Sequence, residues 1–143
     1  MAGIPRAALF YGLAGLIPFL FAGLTTLAPD LAPGLLYAPT AIFEVYGVVI
    51  FCFMAGCLWG FAAKDGENLM CWLGLSVIPA ITIFFAIIIG DSDLMVLLLV
   101  AFPALLVFDI AFARAGLTPP WWLPLRYLLT SVVTACFAIG VFA

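Results

Sequence analysis

Residues 46–60 read YGVVIFCFMAGCLWG, an apolar run without a single charge. The small residues Cys52, Gly56 and Gly60 recur within it at four-residue intervals, so at helical pitch they fall along one slowly drifting stripe. Gly56 and Gly60 alone spell GxxxG, a spacing that lets helix backbones approach closely inside a bilayer, where packing drives association. The stretch predicts the central helix of a small membrane-buried bundle, with Cys52, Gly56 and Gly60 as its helix-packing motif. The motif suits packing within the bundle and packing against another protein equally.

The surrounding chain has the same character. Of its 143 residues, 69% are hydrophobic and 8% are charged, whereas a soluble domain is about half apolar and about a quarter charged. A helix needs roughly 20 apolar residues to cross the hydrocarbon core. Five runs meet that length, at about residues 7–27, 39–63, 69–89, 94–113 and 123–142. The expected fold is all-α: a polytopic membrane protein, one domain over residues 1–143, built as a bundle of five transmembrane helices. The first run exceeds a signal-peptide core of about 7–15 residues, and Pro29 would follow the small-residue cut site at Ala28, so an uncleaved helix is expected. With only four Lys and Arg in the chain, there is no basic surface for nucleic acid. The expected partners are the lipid bilayer and other membrane-protein subunits or a second copy.

Five crossings place Arg6, Lys64, Arg114 and Arg126 on one side and Asp30, Asp91 and Asp93 on the other. The positive-inside rule makes the basic side cytoplasmic. That puts the N-terminus in the cytoplasm and the C-terminus in the periplasm of a bacterial inner membrane; the alternative is the mitochondrial inner membrane. Agreement among all four basic residues supports the count of five, because losing or splitting a span would scatter them.

Prolines punctuate three spans. Pro18, Pro79 and Pro103 each lie inside an apolar run, where a missing N–H predicts a kink. Pro18 follows Gly12 and Gly15, so the first span should bend near its middle and free a carbonyl for a neighbour to satisfy. GLIP at Pro18 and SVIP at Pro79 hint at a parallel duplication of spans one–two and three–four. Thr118 before Pro119 and Pro120 is a helix-start signal, and Trp59, Trp72, Trp121 and Trp122 suit an aromatic belt at the inner interface.

Asp109 and Arg126 are the strongest polar pair. Asp109 lies five residues before Arg114, about 7 Å deeper along the helix axis. Arg126 lies about 5–7 Å into the last span from the same side. Antiparallel neighbours would join them, as a structural ion pair or as a proton or ion relay whose carboxylate Arg126 modulates. Glu44 sits about one turn into the second span, where a helix N-terminus favours a carboxylate; its functional alternative is an outer gate. Thr130, Ser131 and Thr134 suit interhelical hydrogen bonds. The chain has no His and no CxxC, so no metal site or cofactor is expected, and Cys52, Cys57, Cys71 and Cys136 read as small packing residues. Neither a GxSxG elbow nor a phosphate-binding glycine loop occurs, and no enzymatic activity is expected.

Gly15-Leu-Ile-Pro18-Phe19, the series from Tyr46-Gly47 through Phe53 and Gly56 to Trp59-Gly60, and then Pro79, Asp109, Pro120, Trp122 and Arg126 run along nearly the whole chain. In these features the sequence resembles the transmembrane protein 69-like family, an uncharacterised group of small membrane proteins from bacteria and mitochondria. Cys52 stands where the family pattern has Ser, so no polar role carries to that position. The resemblance implies a multi-helix inner-membrane protein and transfers no activity. Small size and a helix face suited to close packing suggest a structural or accessory subunit, or an assembly factor, of a membrane complex. The alternative is a small proton- or ion-coupled transporter or channel acting as a homo-oligomer.

Overall fold

A computed structural model describes residues 3–34, 39–64, 67–90 and 93–143. Asp91, residues 65–66 between Lys64 and Glu67, and residues 35–38 lie outside the described residues. The described residues are helical without strands: α1 (Arg6–Ala14), α2 (Ile17–Leu27), α3 (Pro39–Ala62), α4 (Leu69–Ile89), α5 (Leu94–Arg114) and α6 (Trp122–Phe142). With α1 and α2 taken as one interrupted span, five helices are long and apolar enough to cross a membrane. The 21 residues of α5 measure about 32 Å, close to the thickness of the hydrocarbon core.

The interruption of the first span has a local cause. Pro18 sits at the start of α2 and supplies no N–H, and the chain crosses Gly15 and Leu16 with a tightened turn, Leu16 N–H donating to the Leu13 carbonyl at 3.0 Å. The Gly15 carbonyl accepts instead from the Tyr46 hydroxyl of α3 at 3.0 Å. A backbone acceptor freed in hydrocarbon is thus satisfied by a neighbouring helix. By contrast, α4 and α5 continue as α-helix across Pro79 and Pro103. Two segments that share a Pro-containing motif, GLIP and SVIP, therefore differ in structure: the first is interrupted and the second is continuous.

Helix α3 packs against α2, α4, α5 and α6, while α5 lies along α6 and α2 closes on α6. Where they meet, the core is aromatic: Phe19, Phe43, Phe102 and Phe137 are all buried. Phe102 and Phe137 stand 5.7 Å apart, Phe19 and Phe137 5.7 Å, and Phe43 and Phe137 5.2 Å between ring centroids. These are ordinary spacings for tilted or edge-on rings. Phe10, Ile17, Val45, Val49, Phe53, Ile88, Val100 and Val107 point outward. So large an apolar surface suits lipid as its solvent.

The tight side-chain contact on α3 is made at Gly47, away from the GxxxG pair. A Cβ built on Gly47 would lie 2.8 Å from Phe137 Cζ and 2.9 Å from Leu98 Cδ1, whereas Gly56 and Gly60 have open space there. Gly56 and Gly60 are exposed and Cys52 is half-buried, while the inward stripe of α3 runs through Phe43, Gly47, Phe51, Ala55, Leu58 and Ala62. Gly47→Ala should therefore destabilise the bundle by about 1–3 kcal/mol through overpacking. Gly56→Ala should be neutral or slightly stabilising in the same thermal or denaturant unfolding assay. Equal effects at the two sites would show that Gly47 is not the tight contact.

Candidate functional site

Helix α5 ends in a Schellman turn. Gly116 has φ +75, its N–H donates to the Ala113 carbonyl at 3.0 Å, and Leu117 N–H donates to the Phe112 carbonyl at 3.0 Å. A left-handed residue is needed there, and glycine supplies it without a Cβ penalty. The turn sends the chain back so that α6 runs antiparallel beside α5. Helix α6 begins at Trp122, with no side-chain cap from Thr118.

Trp122 and Arg126 are four residues apart and so share one face of α6, and both reach the carboxylate of Asp109. Trp122 Nε1–H donates to Asp109 Oδ1 at 2.7 Å, and Arg126 Nε–H donates to Asp109 Oδ2 at 2.8 Å. Asp109 is 1% exposed and Arg126 2%. Each carboxylate oxygen thus has its own charge-assisted donor, the arrangement a charge needs in a low-dielectric interior. Phe61 packs edge-on against Trp122 at 4.8 Å and fixes the indole.

Part of the site is polar and unmatched. Arg126 Nη2, Thr130 Oγ1 and Thr134 Oγ1 are buried without a hydrogen-bond partner. Arg126 and Thr130 line a crevice of about 370 Å³ whose walls come from α1, α2, α3, α5 and α6. The remaining candidates lie elsewhere. Glu44 borders a polar hollow at the other end of the bundle with Thr40, Asp93 and Gly140, so the structure brings Asp109 and Arg126 together and leaves Glu44 apart. Among the described residues no cluster of His, Cys, Asp and Glu could hold a metal ion.

Trp122 is the site residue that the sequence reading assigned to another role. It is 7% exposed and donates to the carboxylate. Its position one helical turn before Arg126 was the available signal, since an indole there must share the arginine's face.

Over residues 4–142 the chain matches the family described as "Protein of unknown function (DUF3429)". It is also 33% identical over 141 residues to transmembrane protein 69 of Xenopus tropicalis, covering 94% of this chain and 53% of that protein. The chain thus spans about half the length of the curated relative it matches. No solved structure matches it.

The coupling between Asp109 and Arg126 is measurable. Asp109→Asn and Arg126→Leu should each cost about 3–5 kcal/mol of unfolding free energy, because each strands a buried partner. The double variant should lose clearly less than the sum. Trp122→Phe should cost about 1.5–3 kcal/mol, the range for a hydrogen bond to a charged group. Strictly additive losses in thermal melts would remove the pair as the lock between α5 and α6.

Proposed function

The chain belongs to the DUF3429 family, and we propose that it serves as an accessory subunit or assembly factor that seats a transmembrane helix of another protein on α3. One observation carries this reading. The outward stripe of α3 passes Val45, Val49 and Phe53 and ends at Gly56 and Gly60, both exposed with nothing within 4 Å of a built Cβ. Flanked by the large side chains of Phe53 and Trp59, the two glycines form a shallow notch that a helix backbone can enter closely. Packing within the chain does not use them, since a Cβ built on either meets nothing within 4 Å.

The alternative, a proton- or ion-coupled homo-oligomer, draws on Asp109, Arg126 and Glu44. It has less support. Both oxygens of Asp109 are engaged by Trp122 and Arg126, and Glu44 lies at the opposite end. Between those depths the packed rings of Phe19, Phe102 and Phe137 fill the core.

The proposed orientation follows the basic residues. Arg6 opens α1, Lys64 follows α3, Arg114 closes α5 and Arg126 lies in the first turns of α6, which supports an N-terminus on the cytoplasmic or matrix side. C-terminal reporter fusions should accordingly be active on the periplasmic side; activity in the cytoplasm would overturn the orientation.

Mild-detergent purification from the native membrane, followed by native mass spectrometry, tests the subunit reading. A stoichiometric foreign subunit is expected, lost in the Gly56→Ile/Gly60→Ile double variant while the chain itself stays folded. Recovery as a lone monomer, or as a homo-oligomer insensitive to these substitutions, would count against it.

A further inference from the structure

The crevice beside Arg126 has an opening and a chemical bias. Its walls carry six aromatic side chains, Tyr11, Phe19, Phe53, Phe102, Trp121 and Trp122, with Arg126 and Thr130 among the few polar members. Tyr11 is 74% exposed and Phe53 64%, so the mouth lies between α1 and α3 and opens sideways toward lipid. Helix α1 contributes no buried residue, which leaves this side of the bundle the least enclosed. A volume of about 370 Å³ falls in the range of small-molecule sites, roughly 300–1,000 Å³.

Charge narrows the choice of occupant. The guanidinium of Arg126 is already balanced by Asp109 at 2.8 Å. An anion bound there would leave an uncompensated negative charge in hydrocarbon, which is costly. What the site lacks is an acceptor, since Arg126 Nη2 and Thr130 Oγ1 are buried without partners. The Arg126 guanidinium is donor-only and the Thr130 hydroxyl can donate as well as accept; spaced four apart, they lie on one face of α6. A small rotation of either side chain would bring its donor to a neutral carbonyl oxygen in the crevice, which adds no charge.

Depth and lining narrow it further. Arg126 is four residues past the start of α6 at Trp122, about 6 Å into the bundle from the helix end. Thr130 is about 6 Å deeper again. A phospholipid ester carbonyl is tethered to its headgroup at the interface, whereas a free apolar molecule can bring its carbonyl to this level. Aromatic walls favour a flat ring, which stacks or packs edge-on with little loss of freedom. We infer that this crevice binds a membrane-soluble quinone, its ring among the aromatic side chains and one carbonyl accepting hydrogen bonds from Arg126 and Thr130.

The test uses the full chain in lipid nanodiscs and a photoreactive azido-benzoquinone bearing a decyl tail. Labelling should saturate, map to α1, α3 and α6 around Tyr11, Met54 and Trp121, and be competed by plain decyl-benzoquinone but not by added phospholipid. Ala8→Trp, which fills the crevice from α1, should abolish the saturable component. Thr130→Val should weaken apparent affinity by about three- to tenfold, the equivalent of one hydrogen bond. If Ala8→Trp does not fold, Cys57→Phe fills the same space from α3 and is read identically. Competition by phospholipid would assign the crevice to a lipid chain and overturn the proposal. So would unsaturable labelling spread over the outward faces, or labelling unchanged in the filled variants.

Discussion

A carboxylate cannot remain charged and alone in hydrocarbon, and this constraint on Asp109 determines how the bundle is joined. Its charge is met from one neighbouring helix by two donors, Trp122 Nε1–H and Arg126 Nε–H, each on its own oxygen. Unpairing any of the three would expose a buried polar group to a medium without water, at a cost of several kcal/mol. Helices α5 and α6 are therefore held at one register, and the left-handed Gly116 turn makes the short return possible. With that hairpin fixed, α6 presents its inward face to α2, and α3 closes against α2, α5 and α6.

The remaining cohesion comes from shape. Lipid tails are as apolar as the core, so burying Phe or Leu against another helix gains little from the hydrophobic effect. Contact density has to supply it. Phe19, Phe43, Phe51, Phe102 and Phe137 interlock near the middle of the bundle and in the half nearer Glu44. The backbone yields to them at Gly47 and Gly140: a Cβ on Gly140 would come within 2.5 Å of Met95 Cε and 3.0 Å of Phe43 Cε2. Neither glycine belongs to the GxxxG pair.

This division explains what could be read from the sequence. Span number follows from run length and charge because both reflect the bilayer, and the five long apolar helices are present. The meeting of Asp109 with Arg126 follows from depth arithmetic across a short loop, since antiparallel neighbours leave few other partners. The break near Pro18 was also legible, although not that Tyr46 would reach the Gly15 carbonyl beside it. Which face of α3 turns inward was not. In a helix apolar on every side there is no polar face to orient it, so Gly47 and Gly56 look alike until Phe137 is placed. Trp122 escaped for a related reason: an indole near a helix start suits both an interfacial belt and a buried donor, and only the position of Asp109 decides between them.

The two ends of the bundle differ in the same way as its two kinds of cohesion. The half nearer Glu44 is filled by rings, while the half nearer Asp109 contains the ion pair, the unmatched donors and the crevice. Phe53 stands at the boundary of two features of the latter half. It lines the crevice with Met54 and Cys57, and it lies on the outward stripe that leads to Gly56 and Gly60. At about 100° per residue, Cys57 is about 40° to one side of Phe53, with Gly60 about 20° and Gly56 about 60° to the other. A helix seated on the two glycines would stand against Phe53 and narrow the mouth of the crevice. A molecule held among the rings would in turn fix the Phe53 side chain that edges the notch. Occupation of either place alters the surface offered by the other through one shared aromatic ring, and that contact requires no movement of the Asp109–Arg126 lock.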